Sequence, residues 1–148
     1  MIKKQFILGG LICVAAGMVI GIGFFRWSGG AREGDFLQIG SHQWSVEYAD
    51  TESERVLGLG KRASLPQASG MLFIFPQADR YQFWMKDMEF PLDLVFIAGG
   101  KVESLVQNVA PEEMGLISPG GPVRYVLEVN AGETTGIIPG DKVLGLPD

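Results

Sequence analysis

The sequence contains one cysteine and one histidine among 148 residues. Cys13 lies in an apolar run near the N terminus, so the rest of the chain has no disulfide, thiolate nucleophile or cysteine-based metal site. His42 alone cannot build a histidine-based zinc site, and its place in the turn of residues 40–43 is typical of a surface residue rather than a general base. We therefore predict no metal and no other cofactor.

Clusters of basic residues are missing as well. All 17 acidic residues follow Arg26, whereas only nine of the twelve Lys and Arg residues do, so residues 27–148 carry a net charge of −8. Such a surface repels phosphate groups, and nucleic-acid binding needs a basic patch. We therefore exclude nucleic acid as a partner. The sequence also has no Gly-x-Ser-x-Gly motif, the signature of many serine hydrolases.

One long uncharged run stands at the N terminus. Residues 1–5 are short and basic, and residues 6–25 form a run of 20 uncharged residues that ends at Arg26. A membrane-spanning helix needs about 20 apolar residues, whereas the apolar core of a cleaved signal peptide has about 7–15. We predict a single-pass anchor at residues 1–26 that crosses the lipid bilayer through residues 6–25. A cleaved signal that releases a secreted protein is the alternative.

The charge on either side of this run predicts its orientation. Lys3 and Lys4 precede it, and the positive-inside rule keeps such residues in the cytoplasm. The C-terminal part of the chain is then extracytoplasmic. Small and polar residues 27–34 predict a flexible tether, and residues 35–148 predict a single domain of ordinary size.

Short strands dominate the pattern of residues 35–148. Gly99-Gly100 predicts a tight hairpin, because a two-residue turn of this kind needs positive φ angles. One short helix is predicted over residues 51–60, where Thr51 or Ser53 can act as the cap, and a further helical turn over residues 131–136. Runs of β-branched and aromatic residues between turn residues predict eight strands at Phe36–Ile39, Trp44–Ala49, Met71–Phe75, Gln82–Lys86, Leu92–Ala98, Lys101–Gln107, Val123–Val129 and Lys142–Leu146.

These elements predict a β-rich domain, all-β to α+β. It is built as a compact antiparallel barrel or sandwich of about eight short strands with one or two short helices, and it follows an N-terminal transmembrane helix.

Three segments, residues 70–75, 83–96 and 126–132, also carry a family resemblance. They resemble the family called domain of unknown function 192, or uncharacterised protein family 0127, over nearly all of residues 44–146. The resemblance implies a small β-rich domain, often secreted or membrane-anchored, with no established activity and no cofactor. Relatives usually have Met where this chain has Gly60.

Strand alternation indicates a candidate binding surface. Trp84 and Lys86 share one face of their predicted strand, as Arg124 and Glu128 share one face of theirs. An aromatic floor with a few charges is the composition of a ligand cleft. The candidate ligand-binding residues are Trp84, Lys86, Asp93, Arg124, Glu128 and Arg55. The structural alternative places Trp84 in the core and pairs Lys86 with Asp93 and Arg55 with Glu128.

From these residues we predict a non-enzymatic extracytoplasmic domain that binds a small molecule, glycan or peptide, and we assign no catalytic residue. Three alternatives stay open. The first is a hydrolase or lyase of cell-envelope material that uses Lys86 and carboxylates such as Asp93 and Glu128. The second is oxygen-only calcium binding at Asp87, Glu89 and Asp93, although these acids lack the usual loop spacing. The third is a structural or assembly partner that uses exposed strand edges.

The predicted orientation can be tested on intact cells. Protease added outside the cytoplasmic membrane should digest residues 34–148 and spare the anchor, because the positively charged N terminus is held inside. Immunoblotting with an N-terminal tag reads the result. Protection of the domain in intact cells, with digestion after lysis, would contradict the orientation.

Overall fold

The structure of the chain, a computed structural model, describes residues 32–148. Its strands form one seven-stranded sheet in the order β5-β4-β6-β3-β2-β1-β7. At one end Val102 N–H donates to Asp141 O (2.9 Å) and Val143 N–H donates to Gly100 O (2.9 Å), so the two edge strands meet and the sheet curls into a half-barrel. The elements are β1 (Arg32–Ile39), β2 (His42–Ala49), α1 (Glu52–Leu57), β3 (Ser69–Asp79), β4 (Leu92–Ala98), β5 (Lys101–Val109), β6 (Val123–Asn130) and β7 (Val143–Leu144).

The prediction of a wholly antiparallel sheet is wrong at one place, because β2 and β3 pair in parallel. Parallel neighbours cannot be joined by a tight turn, so the chain crosses over through residues 50–68, which contain α1. Thr51 caps this helix: Glu54 N–H donates to Thr51 Oγ1 (3.3 Å), and Thr51 N–H donates to Glu54 Oε2 (3.0 Å). Arg62 ties the crossover to β2 through a bidentate ion pair with Glu47 (2.7 and 2.9 Å).

Two hydrophobic clusters lie on opposite faces of the sheet. One contains residues from all seven strands, among them Trp44, Leu127 and Val143. The other lies mainly on the middle strands β3, β6 and β4, with one residue each from the ends of β2 and β5, and is completed by residues of the connecting segments, including Phe83 and Met85. The middle strands are therefore buried on both faces. β4 shows this most clearly, since the six residues 92–97 are all buried.

Three predicted elements are shorter or absent. Residues 82–86 form no strand and make one isolated bridge, from Phe83 to Ile117, because both edges of neighbouring β3 are already paired. Residues 131–136 form hydrogen-bonded turns rather than a helix. β7 ends before Gly145, where a Cβ atom would lie 2.1 Å from Phe36 O. The sheet therefore has seven strands rather than eight, and the predicted Gly99-Gly100 hairpin between β4 and β5 is confirmed.

The predicted membrane anchor at residues 1–26 lies outside the described residues. Within residues 32–148, no helix has the length and apolar character needed to cross a bilayer. β1 begins at Arg32, within the segment predicted as a tether.

Asp93 joins β4 to the two loops beside it. Its carboxylate is fully buried and accepts four hydrogen bonds, from Asn108 N–H (2.7 Å), Gly132 N–H (2.9 Å), Thr134 N–H (3.2 Å) and Thr134 Oγ1 (2.7 Å). Three backbone N–H groups and one hydroxyl group therefore occupy the acceptor positions of this carboxyl group. Asp93 thus fixes the loop after β6 and the bulged end of β5 rather than facing a ligand.

We predict that Asp93→Ala destabilises the domain by about 3–5 kcal/mol, because it leaves several buried donors unsatisfied. Thr134→Val is the matched comparison. It keeps the shape of the side chain and removes only the hydroxyl bonds, so we expect a loss of about 1–2 kcal/mol. Urea denaturation of both variants gives the two free energies of unfolding. Equal losses would show that Asp93 contributes no more than its hydroxyl partner.

Candidate functional site

A cleft opens over the hydrophobic cluster that contains Phe83 and Met85, on what we call the outer face of the sheet, between α1, residues 81–88 and the middle strands. It encloses about 330 Å³. Its aromatic walls are fixed by mutual packing: Phe75 stacks on Tyr81 with ring centroids 3.6 Å apart, and Phe83 meets Phe73 edge to face at 5.2 Å. The cleft is therefore preformed, with walls that need little reordering to receive a ligand.

Two segments distant in sequence form its rim. Lys61 N–H, just after α1, donates to Asp87 O at 2.7 Å. Both residues have a left-handed backbone, with φ of 63° for Lys61 and 59° for Asp87. Non-glycine residues adopt this conformation at a cost, and such strain concentrates at functional sites. The hydrogen bond holds the helix end and the loop at a fixed spacing across the mouth.

Glu128 lies at the floor of the cleft and is 6% exposed. Its neighbours across the sheet are Met71 on β3 and Leu94 on β4, both buried and apolar. Among the described residues its carboxyl group forms no hydrogen bond and no ion pair. Loss of hydration alone raises the pKa of Glu128 from 4.5 to about 8. At neutral pH the group is therefore a carboxylic acid that can donate a hydrogen bond.

Two cations stand at the mouth and are held against aromatic rings. The Arg55 guanidinium lies 5.3 Å from the centroid of Phe75, and its Nη1 donates to Asp50 O (2.6 Å) and Ile74 O (2.8 Å). The Lys86 ammonium lies 5.3 Å from the ring of Trp84. Trp84 is 58% exposed, so the structural alternative that placed it in the core is wrong. Phe83 and Met85, on either side of it, fill the core instead.

The structure brings four of the six predicted ligand-binding residues to one cleft: Trp84, Lys86, Arg55 and Glu128. Asp93 does not reach it, because Asp93 adjoins Leu94, the cross-strand partner of Glu128, and neighbouring residues of a strand point to opposite faces. Arg124 lies outside the cleft, where its Nε donates to Phe75 O (3.2 Å).

The two predicted ion pairs do not form. Lys86 and Asp93 lie on opposite sides of the sheet, and Arg55 bonds to backbone carbonyls rather than to Glu128. The proposed carboxylate pair of Asp93 with Glu128 is excluded for the same reason. No group of three or more His, Cys, Asp or Glu side chains within residues 32–148 could hold a metal ion, so Asp87, Glu89 and Asp93 do not gather around a calcium position.

The sequence reasoning missed the aromatic walls and one rim acid. Phe73, Phe75 and Tyr81 line the cleft although they lie outside the motif that indicated it, and Glu52 of α1 joins the rim. The sequence pattern of β3 could have indicated these walls, because its alternation places Met71, Phe73 and Phe75 on one face.

Comparison with known proteins identifies the family. The family model DUF192, described as "Uncharacterized ACR", matches residues 36–145, and the chain belongs to this family. Among curated proteins, none is significantly similar to the chain.

Crystal structures of similar proteins, among them two at 33% identity, share both fold and sequence with it. One is a Sinorhizobium meliloti protein described as a candidate transcription regulator, 33% identical, with a TM-score of 0.73 over 79% of this chain and 98% of that one. The other is a Novosphingobium aromaticivorans protein of unknown function, 33% identical, with a TM-score of 0.69 over 73% of this chain and 82% of that one.

The raised pKa of Glu128 predicts a pH-dependent stability. The unfolded carboxyl loses its proton near pH 4.5 and the folded one near pH 8. The stabilisation from the neutral buried acid is therefore fully present below about pH 4.5, declines as pH rises, and is lost as pH passes 8. Glu128→Gln keeps the shape without the ionisation. We expect the variant to gain up to about 5 kcal/mol relative to the parent between pH 4.5 and 9, measured by urea denaturation. Parallel curves for the two proteins would contradict a buried neutral acid.

Proposed function

We propose that the chain is a single-pass, membrane-anchored protein whose extracytoplasmic domain binds a small molecule in the Trp84 cleft without transforming it. Trp84 itself carries this proposal. A large aromatic side chain that is more than half exposed, at the mouth of an aromatic-walled cleft, leaves apolar surface in water that a ligand could cover. Val56 and Leu57 of α1, exposed by 75% and 44%, extend the same apolar rim.

The shape and lining of the cleft favour a small molecule over the other predicted ligand classes. Its volume of about 330 Å³ lies at the lower end of the range for small-molecule sites, roughly 300–1,000 Å³. A glycan would need many free hydrogen-bonding partners, whereas two of the polar lining residues, Arg55 and Tyr81, already donate to backbone carbonyls. A peptide would need a free strand edge or a long groove, and both edges of β3 and β6 beneath the cleft are already paired.

One observation favours a second candidate, an enzyme of cell-envelope material. A buried carboxyl with a pKa of about 8 in a cleft is a candidate general acid. The other carboxylate that lines the cleft is Glu52, at the rim. Lys86, which the sequence suggested as a second group, lies over Trp84 at the mouth rather than at the floor beside Glu128.

A fragment of residues 32–148 makes the binding proposal testable. The Sinorhizobium meliloti chain, 98% of which aligns with 79% of this one, contains little beyond the same fold. The fragment contains two tryptophans, and the second is an internal control. Trp44 is buried in the cluster on the other face of the sheet, with its indole N–H bonded to Glu133 Oε2 at 2.8 Å.

We predict that a screen of envelope metabolites yields a compound that raises the melting temperature of the fragment, since a ligand at 100 times its Kd adds about 2.7 kcal/mol of stability. In NMR spectra this compound should shift the indole N–H signal of Trp84 and leave that of Trp44 in place. Trp84→Ala should abolish the ligand effect while it costs about 1 kcal/mol or less, because an exposed side chain contributes little to the core.

Phe36→Ala is the matched control variant, because Phe36 is 61% exposed and lies on β1, outside the cleft. It should leave ligand binding unchanged. If Trp84→Ala retains the full ligand-induced shift, the cleft is not the binding site. Mass spectrometry of the recovered compound separates the two candidate functions: an unchanged compound supports binding, and a product whose formation is lost in Glu128→Gln supports the enzyme.

A further inference from the structure

The unpartnered carboxyl of Glu128 constrains what kind of molecule the cleft can hold. A buried hydrogen-bonding group without a partner is costly, and native structures nearly always satisfy such groups. Glu128 is 6% exposed, is flanked by Met71 and Leu94, and opens only toward the cleft. Its carboxyl oxygens keep access to the cleft, so the contents of the cleft, either water or a ligand that reaches the floor, are placed to satisfy it.

The charges around Glu128 indicate the polarity of that ligand. No titratable side chain faces it from β3 or β4, where its direct neighbours are apolar. The other titratable or charged residues that line the cleft are Glu52 and Arg55 on α1 and Tyr81 and Lys86 on the loop. The mouth carries two cations, Arg55 and Lys86, and one acid, Glu52, so its net positive charge repels a positively charged ligand. The apolar floor penalises a ligand that carries a charge of either sign into it.

We propose that the ligand is a neutral molecule with an apolar body and a carbonyl or amide oxygen, and that Glu128 donates its carboxyl O–H to that oxygen. This proposal rests on the binding function proposed above. The aromatic walls pack against the apolar body of the ligand, and Glu128 at the floor of the cleft recognises its one polar group. The direction of the hydrogen bond follows from the neutral state of Glu128 at pH 7, given its pKa of about 8.

Three small probes with the same aromatic body test the ligand class: 2-phenylacetamide, 2-phenylethylamine and phenylacetate. They differ in carrying a neutral amide, an ammonium or a carboxylate. Each is titrated into the fragment of residues 32–148 at pH 7, and its Kd is read from the indole N–H signal of Trp84 with Trp44 as the reference. We expect the amide to bind most tightly of the three.

The pH dependence of probe binding identifies the protein group that hydrogen-bonds to the probe. Binding that requires the protonated acid weakens in proportion to its protonated fraction, so the Kd of the amide should rise about tenfold from pH 7 to pH 9. Glu128→Gln donates from its amide N–H₂ at both pH values, so this variant should bind the amide with no such pH dependence. Glu128→Leu should lose binding. Glu112→Gln, which changes an exposed carboxylate outside the cleft, should retain the tenfold change.

The results separate a wrong ligand class from a wrong function. Tighter binding of the amine, with affinity that rises toward pH 9 and is lost in Glu128→Gln, would replace the donor role with an ion pair and overturn this proposal while the binding function stands. Tightest binding of phenylacetate would likewise overturn it. If none of the three probes moves the Trp84 signal at millimolar concentration, neither the neutral-ligand proposal nor small-molecule binding in this cleft stands.

Discussion

Strand β6 is the constraint on which the rest of the structure depends. It hydrogen-bonds to β3 on one side and β4 on the other, and five consecutive residues from Tyr125 to Val129 are buried. These five residues are largely withdrawn from water on both faces of the strand, so a polar side chain among them must be bonded or neutralised. Tyr125 meets this need through its hydroxyl, which donates to Pro147 O (2.8 Å). Glu128 has no such partner within the described residues, and its carboxyl group stays protonated at neutral pH instead.

The two buried acids of the middle strands show how the same side-chain chemistry serves different ends. Asp93 accepts hydrogen bonds from backbone and hydroxyl donors, which fix two loops. Glu128 lies on the opposite face among apolar side chains, beneath an opening to solvent. Asp93 is therefore part of the frame of the fold, whereas Glu128 is left with hydrogen-bonding capacity that a ligand can use.

The parallel pairing of β2 and β3 creates the cleft. Because this pairing forces a crossover, α1 and the residues after it lie over the outer face of the sheet, where residues 81–88 meet them. The Lys61–Asp87 hydrogen bond and the Arg62–Glu47 ion pair then hold the two sides of the rim. An antiparallel hairpin at the same place would leave no segment to form this wall.

The sequence by itself determined the β-rich class, the position of most strands, the capped helix after β2 and the Gly99-Gly100 hairpin. Each of these depends on neighbours within a few residues: alternation, a Thr-x-x-Glu cap, or two residues free to adopt positive φ. It also indicated four of the cleft residues, although strand alternation applies only to Glu128: Trp84 and Lys86 lie in a segment that forms no strand, and Arg55 lies on α1.

Only the tertiary structure decided the remaining features. Residues 82–86 have the composition of a strand, but no free sheet edge was left for them, and whether an edge is free depends on the pairing of distant strands. Asp93 was separated from Glu128 by the register between β4 and β6, which places Leu94 and not Asp93 opposite Glu128. The environments of Trp84 and Glu128, one left in solvent and the other removed from it, come from the crossover that covers the sheet. Burial and register arise from contacts between segments far apart in sequence, so no local pattern could specify them.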